Sequence, residues 1–337
     1  MGDINHNTRL TSAEISNLWS QFVNDSMALC VISYYLKNVK DNDIRSVLEF
    51  ALDLSHSHIE SIKEFFMQDN YPIPKGFTIE DDVNLKAPPL FSDPFLLVYL
   101  HIMTIHGLLG YAGAVGTSIR EDQRKYFIKC NMEAMELYNM IMDAMLNKGI
   151  VSRPPAINAP DKIQFVEKQS YLTGWLGRKR PLNAIEVSGI YFNMLKNVVK
   201  IVLEIGFSQV AESKEVREYI QRGKGLCDKQ FTILSSFLSE DNLHSPKKWD
   251  DEVTSSTVSP FSDKLLIFHI VSLISTASAY YGAAYSLSQR RDLAAEYLLL
   301  IADVTKYAED GVNIMIDNGW MEQPPIFDDR NDLANKK

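Results

Sequence analysis

The sequence predicts an all-α protein of two tandem four-helix bundles that arose by internal duplication. Three observations predict it. A Gly-x4-Pro-Pro phrase occurs twice, as NKGIVSRPP (147–155) and DNGWMEQPP (317–325), with its glycines 170 positions apart. LTSAEISNLW (10–19) pairs in register with LNAIEVSGIY (182–191), and FSDPFLLVYL (91–100) with FSDKLLIFHI (261–270). One such echo arises easily by chance, but three in the same order mark a repeat. No alternating strand pattern appears anywhere, and the apolar residues recur at helical spacing instead.

Each copy reads as four helices. In the first, Ser12 caps a run to about Asn38, and Asp41 or Asn42 starts a second run to about Gln68. A loop rich in Pro and Gly follows from Asn70 to Phe91. Ser92 or Asp93 caps an uncharged third helix, and Arg120 to Leu146 forms the fourth. Gly149 and Gly319 each stand just past a last turn, where a left-handed residue is wanted, and the prolines prevent the helix resuming. The copies are offset by 172 at the first pair of echoes and by 170 at the second, so the connecting loop is two residues shorter in the second copy. Arg120 and Arg290 then fall in step. The resulting division is a first bundle over 1–157, an inter-repeat linker over 158–181 and a second bundle over 182–337.

Short connections make helices one and two antiparallel neighbours, and likewise three and four. The long link between two and three has the length to cross the bundle, and four helices with one central crossover is the ferritin-like arrangement.

The composition narrows the functional classes. The chain has 337 residues, 46% hydrophobic and 23% charged, and a formal net charge of −9. It can bury a core in each half, and its charge argues against a general affinity for nucleic acid or anionic lipid. Three scattered cysteines, Cys30, Cys130 and Cys227, fit a reducing environment. The opening MGDINHNTRL has no apolar segment, so we expect no secretory signal, and no Ser or Thr stands at position 6 for a myristoylation motif. Phe95 to Ile119 and Leu265 to Gln289 are each 25 residues without a charge, long enough for a bilayer. They also carry His101, His106, His269 and several hydroxyl residues, which read better as helices enclosed by protein.

The tandem halves, the joining segment YLTGWLGRKRPLNAIEVSGIY (171–191) and the FSD-plus-apolar helix resemble a family of tandem ferritin-like proteins. Its members come from spore-forming Bacillus-type bacteria and are distantly similar to spore coat F proteins. The resemblance covers nearly the whole chain and implies a fold and a kind of organism, with no established activity. It makes a non-catalytic structural or interaction protein, cytoplasmic or spore-associated, the leading expectation, with spore coat components as conceivable partners.

Ferritin-like oxidases hold two metals with a Glu on each of two helices and Glu-x-x-His on each of the others. No Glu-x-x-His occurs in these helices. In the nearest phrase, Asp53-Leu54-Ser55-His56, Asp53 points well away from the core and His56 lies at its edge, and Glu133 and Glu136 fall off the seam of helix four. A smaller constellation remains. Helix one has an apolar seam of Ile15, Leu18, Phe22, Leu29, Ile32 and Leu36 that is interrupted by Asp25. Folding the hairpins sets Asp25 level with Ser55 and His58, and His106 level with Asn131. Asp25, His58 and His106 are therefore the candidate metal ligands, a two-histidine, one-carboxylate set suited to iron or manganese. The competing readings are a register-setting polar network, with no cofactor, and a displacement of Asp25 to the surface by a helix irregularity. The second copy has Asn197, Cys227, Gln230 and Thr276 at positions 25, 55, 58 and 106, so polarity persists there without the ionisable ligands.

Small residues in GLLGYAGAVG (107–116) and ASAYYGAAYS (277–286) suggest close packing of the two halves, a pseudo-dimer within one chain. An apolar small molecule held between the bundles is a third functional expectation. The segment from Trp175 to Pro181 reads as a linker whose tryptophan packs on a bundle, with a docking role as its alternative.

Overall fold

A computed structural model describes residues 8–175 and 179–335. Its helices are α1 (Ser12–Asn38), α2 (Asn42–Gln68), α3 (Ile79–Asp82), α4 (Asp93–Thr117), α5 (Glu121–Asn147), α6 (Ala184–Val210), α7 (Lys214–Glu240), α8 (Asp263–Leu287), α9 (Arg291–Asp317) and α10 (Arg330–Asn335). No strand occurs among the described residues, only two isolated bridges. The long helices run 27, 27, 25 and 27 residues in each half, so the duplication is kept to the residue.

Helix starts follow the cap chemistry. The cap of α1 is Thr11, one residue earlier than the sequence suggests, because Thr11 and Glu14 form a reciprocal capping box. Asn183 and Glu186 repeat it at α6. These two glutamates do more than cap. Glu14 also accepts the N–H groups of Ile119 and Arg120 at 2.9 and 2.8 Å, and Glu186 those of Gln289 and Arg290 at 3.1 and 2.8 Å. Each thereby ties the start of its bundle to the turn between the third and fourth helices. Burial alone would raise both carboxyl groups, but their donors, with Arg180 foremost for Glu186, hold both below the ordinary range.

The full stops are also built alike. Gly149 and Gly319 both have φ of +67°. The next residues, Ile150 and Trp320, donate back to Met145 and Met315 at 3.0 and 2.8 Å, closing a Schellman turn.

Within the first half α1 packs on α2 and α4 on α5, and the pairs close through α1–α4 and α2–α5 contacts. The two crossover loops meet between the halves. Val83 bridges Phe261 and Phe91 bridges Val253, antiparallel in both cases. Positions 83 and 253, like 91 and 261, are repeat equivalents, so each loop clasps the other about an approximate two-fold axis. Tyr99 and His269, again equivalents, meet at 3.3 Å (Oη to Nε2). One close approach depends on glycine: a Cβ on Gly206 would lie 2.6 Å from the Phe91 ring.

The apolar interior forms two clusters. One is continuous through the second half, across the crossovers and into the near end of the first half. The other, with Leu18, Phe22, Ile62, Phe66 and Phe127, fills the far end of the first bundle. The uncharged helices α4 and α8 are long and apolar enough to cross a membrane by composition, and 44% and 50% of their most apolar windows is buried inside the protein.

Two expectations need correction. The glycines of α4 and α8 do not hold the two halves together: a Cβ at Gly110, Gly113, Gly116 or Gly282 would meet nothing within 4 Å, and the close approach of Ala284 is to Gly189 of its own half, where a Cβ would lie 3.2 Å away. The halves are joined by crossover loops and aromatic side chains, whose reach keeps those backbones apart. Trp175 is 65% exposed and staples nothing. Residues 176–178 of that segment lie outside the described residues. Arg180 does the fastening there, with both of its terminal nitrogens 2.8 Å from the Glu186 carboxylate and its guanidinium over the Tyr171 ring.

Candidate functional site

The break between the two apolar clusters of the first bundle is a polar layer. Asp25 of α1 and His58 of α2 are both buried, so no irregularity of α1 turns Asp25 outward. His58 Nδ1 lies 3.2 Å from Asp25 Oδ2. That vector is off the line a ring N–H requires, so the contact is an ion pair at hydrogen-bond distance without the bond itself. On the other side of the ring, His58 Nε2 makes a 3.2 Å hydrogen bond with Glu133 Oε2 of α5. Cys130 Sγ, one turn earlier on α5, is fully buried beside them and accepts a long bond from Gln21 Nε2 at 3.8 Å. Ligand atoms of His58, Cys130 and Glu133 all lie within 4.8 Å of one another. The rings of Tyr111 and Tyr126 stand nearly perpendicular to the imidazole, with centroids 5.7 and 6.2 Å away.

The electrostatics follow from this geometry. Burial opposes a charged imidazole, yet Asp25, helped by Cys130, outweighs it and pushes His58 up to about 11. His58 is thus an imidazolium between two carboxylates, and Asp25, His58 and Glu133 together carry one net negative charge. Lys129 reaches Glu133 from the solvent side at 3.5 Å.

The candidate ligands of the sequence are placed unevenly. Asp25 and His58 are in contact. His106 does not join them: it lines, with Asp25, a cavity of about 330 Å³ between the first bundle and α8. Its ring packs 5.5 Å from that of Tyr280, and burial, then Lys196 and His269, lowers it to about 3. The placement of Glu133 off the seam is corrected. Its Cα is at the seam's edge, but two methylene groups carry the carboxylate inward to His58. Cys130 was missed as well, although Cys130-Asn131-Met132-Glu133 has the i, i+3 spacing that places two ligands on one helix face. A further cavity of about 110 Å³ touches Asp25, Ser55, His58 and Tyr111.

The second copy puts neutral side chains at the equivalents of Asp25 and His58. Tyr281, the equivalent of Tyr111, accepts from Asn197 Nδ2 at 3.1 Å, and its hydroxyl can donate to Asn197 Oδ1 at 3.2 Å or to Gln230 Oε1 at 3.0 Å. Asn197 and Gln230 stand where the first copy has Asp25 and His58. Leu300 replaces Cys130, and Asp303, at the place of Glu133, pairs instead with Lys229 at 2.9 Å, so the imidazole and thiol are gone and the carboxylate is turned to another partner.

The residues present do not fit a two-metal ferritin-like centre, because carboxylates from four helices do not converge in either half among the described residues. They do fit a single ion, with an imidazole, a thiol and a carboxylate around one point.

A family model described as "Protein of unknown function (DUF3231)" matches residues 1–163 and again residues 170–333. Among solved structures, the chain is similar to a crystal structure from Bacillus halodurans provisionally named a spore coat protein. That match has a TM-score of 0.42 and 18% identity and covers 45% of this chain and 98% of the other. No curated protein matches the chain.

Proposed function

The chain belongs to the DUF3231 family, whose model it matches twice, and from that premise we propose that it is a metal-binding protein with one ion site, in its first half. His58, Cys130 and Glu133 would hold the ion. Asp25, on the other ring nitrogen, would orient the imidazole, as carboxylates commonly do behind a ligating histidine. The observation that carries the reading is the convergence of these three side chains in one bundle, while the equivalent positions of the other hold the hydrogen-bonded Asn197, Tyr281 and Gln230 and no imidazole or thiol ligand set. Charge supports it. Exchanging the imidazolium and Cys130 thiol protons for a divalent cation leaves the layer's single net negative charge unchanged, so the ion adds no buried charge. Mixed nitrogen, sulfur and carboxylate donors suit Zn²⁺ or Fe²⁺ ahead of Mn²⁺, which prefers oxygen.

A structural role is the second reading, and one observation favours it: His58 between Asp25 and Glu133 is already a complete ion-pair network. Elemental analysis of untagged protein after incubation with zinc, iron and manganese separates the two. The metal reading expects near-stoichiometric zinc or iron, lost in Cys130→Ser and Glu133→Gln variants that keep their helical signal. No retained metal in the parent protein would leave the network as pure structure. A spore-associated setting rests on the sequence resemblance and is tested separately, by asking whether the protein fractionates with purified spores or with the mother-cell lysate.

A further inference from the structure

The 330 Å³ cavity lies between α1 and α4 of the first bundle and α8 of the second half. It exists because small residues line it. Ser20, Asn24, Ala28 and Gly110 are in its wall, and a Cβ added at Gly110 would meet nothing within 4 Å. The repeat equivalents of these four are Phe192, Lys196, Lys200 and Tyr280. In the second half Phe192, Lys196 and Tyr280 pack on one another, and Lys200 lies over the Tyr307 ring beside Glu204. The Phe192 and Tyr280 rings stand edge to face at 4.9 Å. Lys196 Nζ lies 4.4 Å from the centre of the Tyr280 ring and 4.9 Å from that of Tyr281. The second half therefore fills with its own aromatic rings and alkylamine the space that the first half leaves open.

The open space is also chemically unfinished. Gln21 Oε1 and His269 Nδ1 belong to side chains more than nine-tenths buried that line the cavity, and neither atom has a partner; His106 Nε2 in the same wall has none either. Asp25 adds a carboxylate where the second half has neutral Asn197. Tyr111 offers the ring that Tyr281 offers to Lys196.

We propose that this cavity binds a small organic cation of the arylalkylamine class. The aromatic ring would take the place that Tyr280 and Phe192 occupy in the second half. The ammonium group would lie against the Tyr111 ring and toward Asp25, combining a cation–π contact with charge attraction. The inference goes beyond the metal site and does not depend on it.

The test is calorimetric titration of the full chain, freed of metal with chelator, with phenethylamine and with its uncharged analogue 2-phenylethanol. Saturable one-to-one binding of the amine is expected, at least tenfold tighter than the alcohol. Gly110→Tyr, which copies the second half, should weaken the amine at least tenfold without lowering the thermal midpoint. Ser20→Phe, by the same logic, should do likewise and serves if Gly110→Tyr does not fold. Absence of saturable binding, equal affinity for the alcohol, or full affinity in the filled variants would overturn the proposal.

Discussion

Replacing Asp25 by Asn and His58 by Gln, singly and together, gives the layer of the first bundle the neutral side chains that Asn197 and Gln230 supply in the second. The single changes should be costly in different degrees. His58→Gln removes the cation between two carboxylates whose side chains are 11% and 22% exposed. Stranding a buried charge costs about 3–5 kcal/mol, and the lower end applies because Glu133 keeps Lys129 nearby. Asp25→Asn leaves the imidazolium paired with Glu133, so about 1–2 kcal/mol is expected. The double variant recreates around Tyr111 the pattern that Tyr281 makes with Asn197 and Gln230, and its cost should fall to about 1 kcal/mol. The coupling is then about 3 kcal/mol, far above the few tenths that independent sites show. Urea unfolding in chelator, with the slope of each transition compared, measures it. If the double variant costs the sum of the singles, the two layers are not versions of one device and the reasoning fails.

Two further outcomes are expected. Burial raises Glu204 from 4.5 to about 7, with Lys200 opposing, so the folded state holds an extra proton between those values. The resulting stability is complete below pH 4.5 and is lost as pH rises through 7, on the order of 3 kcal/mol for this fully enclosed group. Glu204→Gln should flatten that part of the stability profile, and an unchanged slope would show that another group sets it. Gly149→Ala and Gly319→Ala each force a Cβ into a left-handed turn at φ +67° and should each lose about 1 kcal/mol in denaturant midpoint. Neutral substitutions would mean that the turns relax.

Sequence alone determined the parts that are local and repeated. Helix limits follow from caps, glycines and prolines acting within a few residues, and the two copies check each other, so the four-helix unit and its full stop were readable. Asp25 stood out because a carboxylate in an apolar seam is conspicuous on one helix. Tertiary structure alone decided what reaches Asp25. Glu133 was dismissed because seam analysis follows Cα directions, whereas its carboxylate sits several bonds away and goes where the opposite charge of His58 draws it. His106 was grouped with Asp25 by helix level, but level does not say which side of a helix faces the bundle and which faces the other half. The exchange of crossover loops and the cavity likewise depend on how the two halves meet. The cavity is set by side-chain sizes at equivalent positions 280 − 110 = 170 and 196 − 24 = 172 residues apart: Gly110 against Tyr280, Asn24 against Lys196. Such pairs acquire meaning only once the chain has brought both copies to one interface.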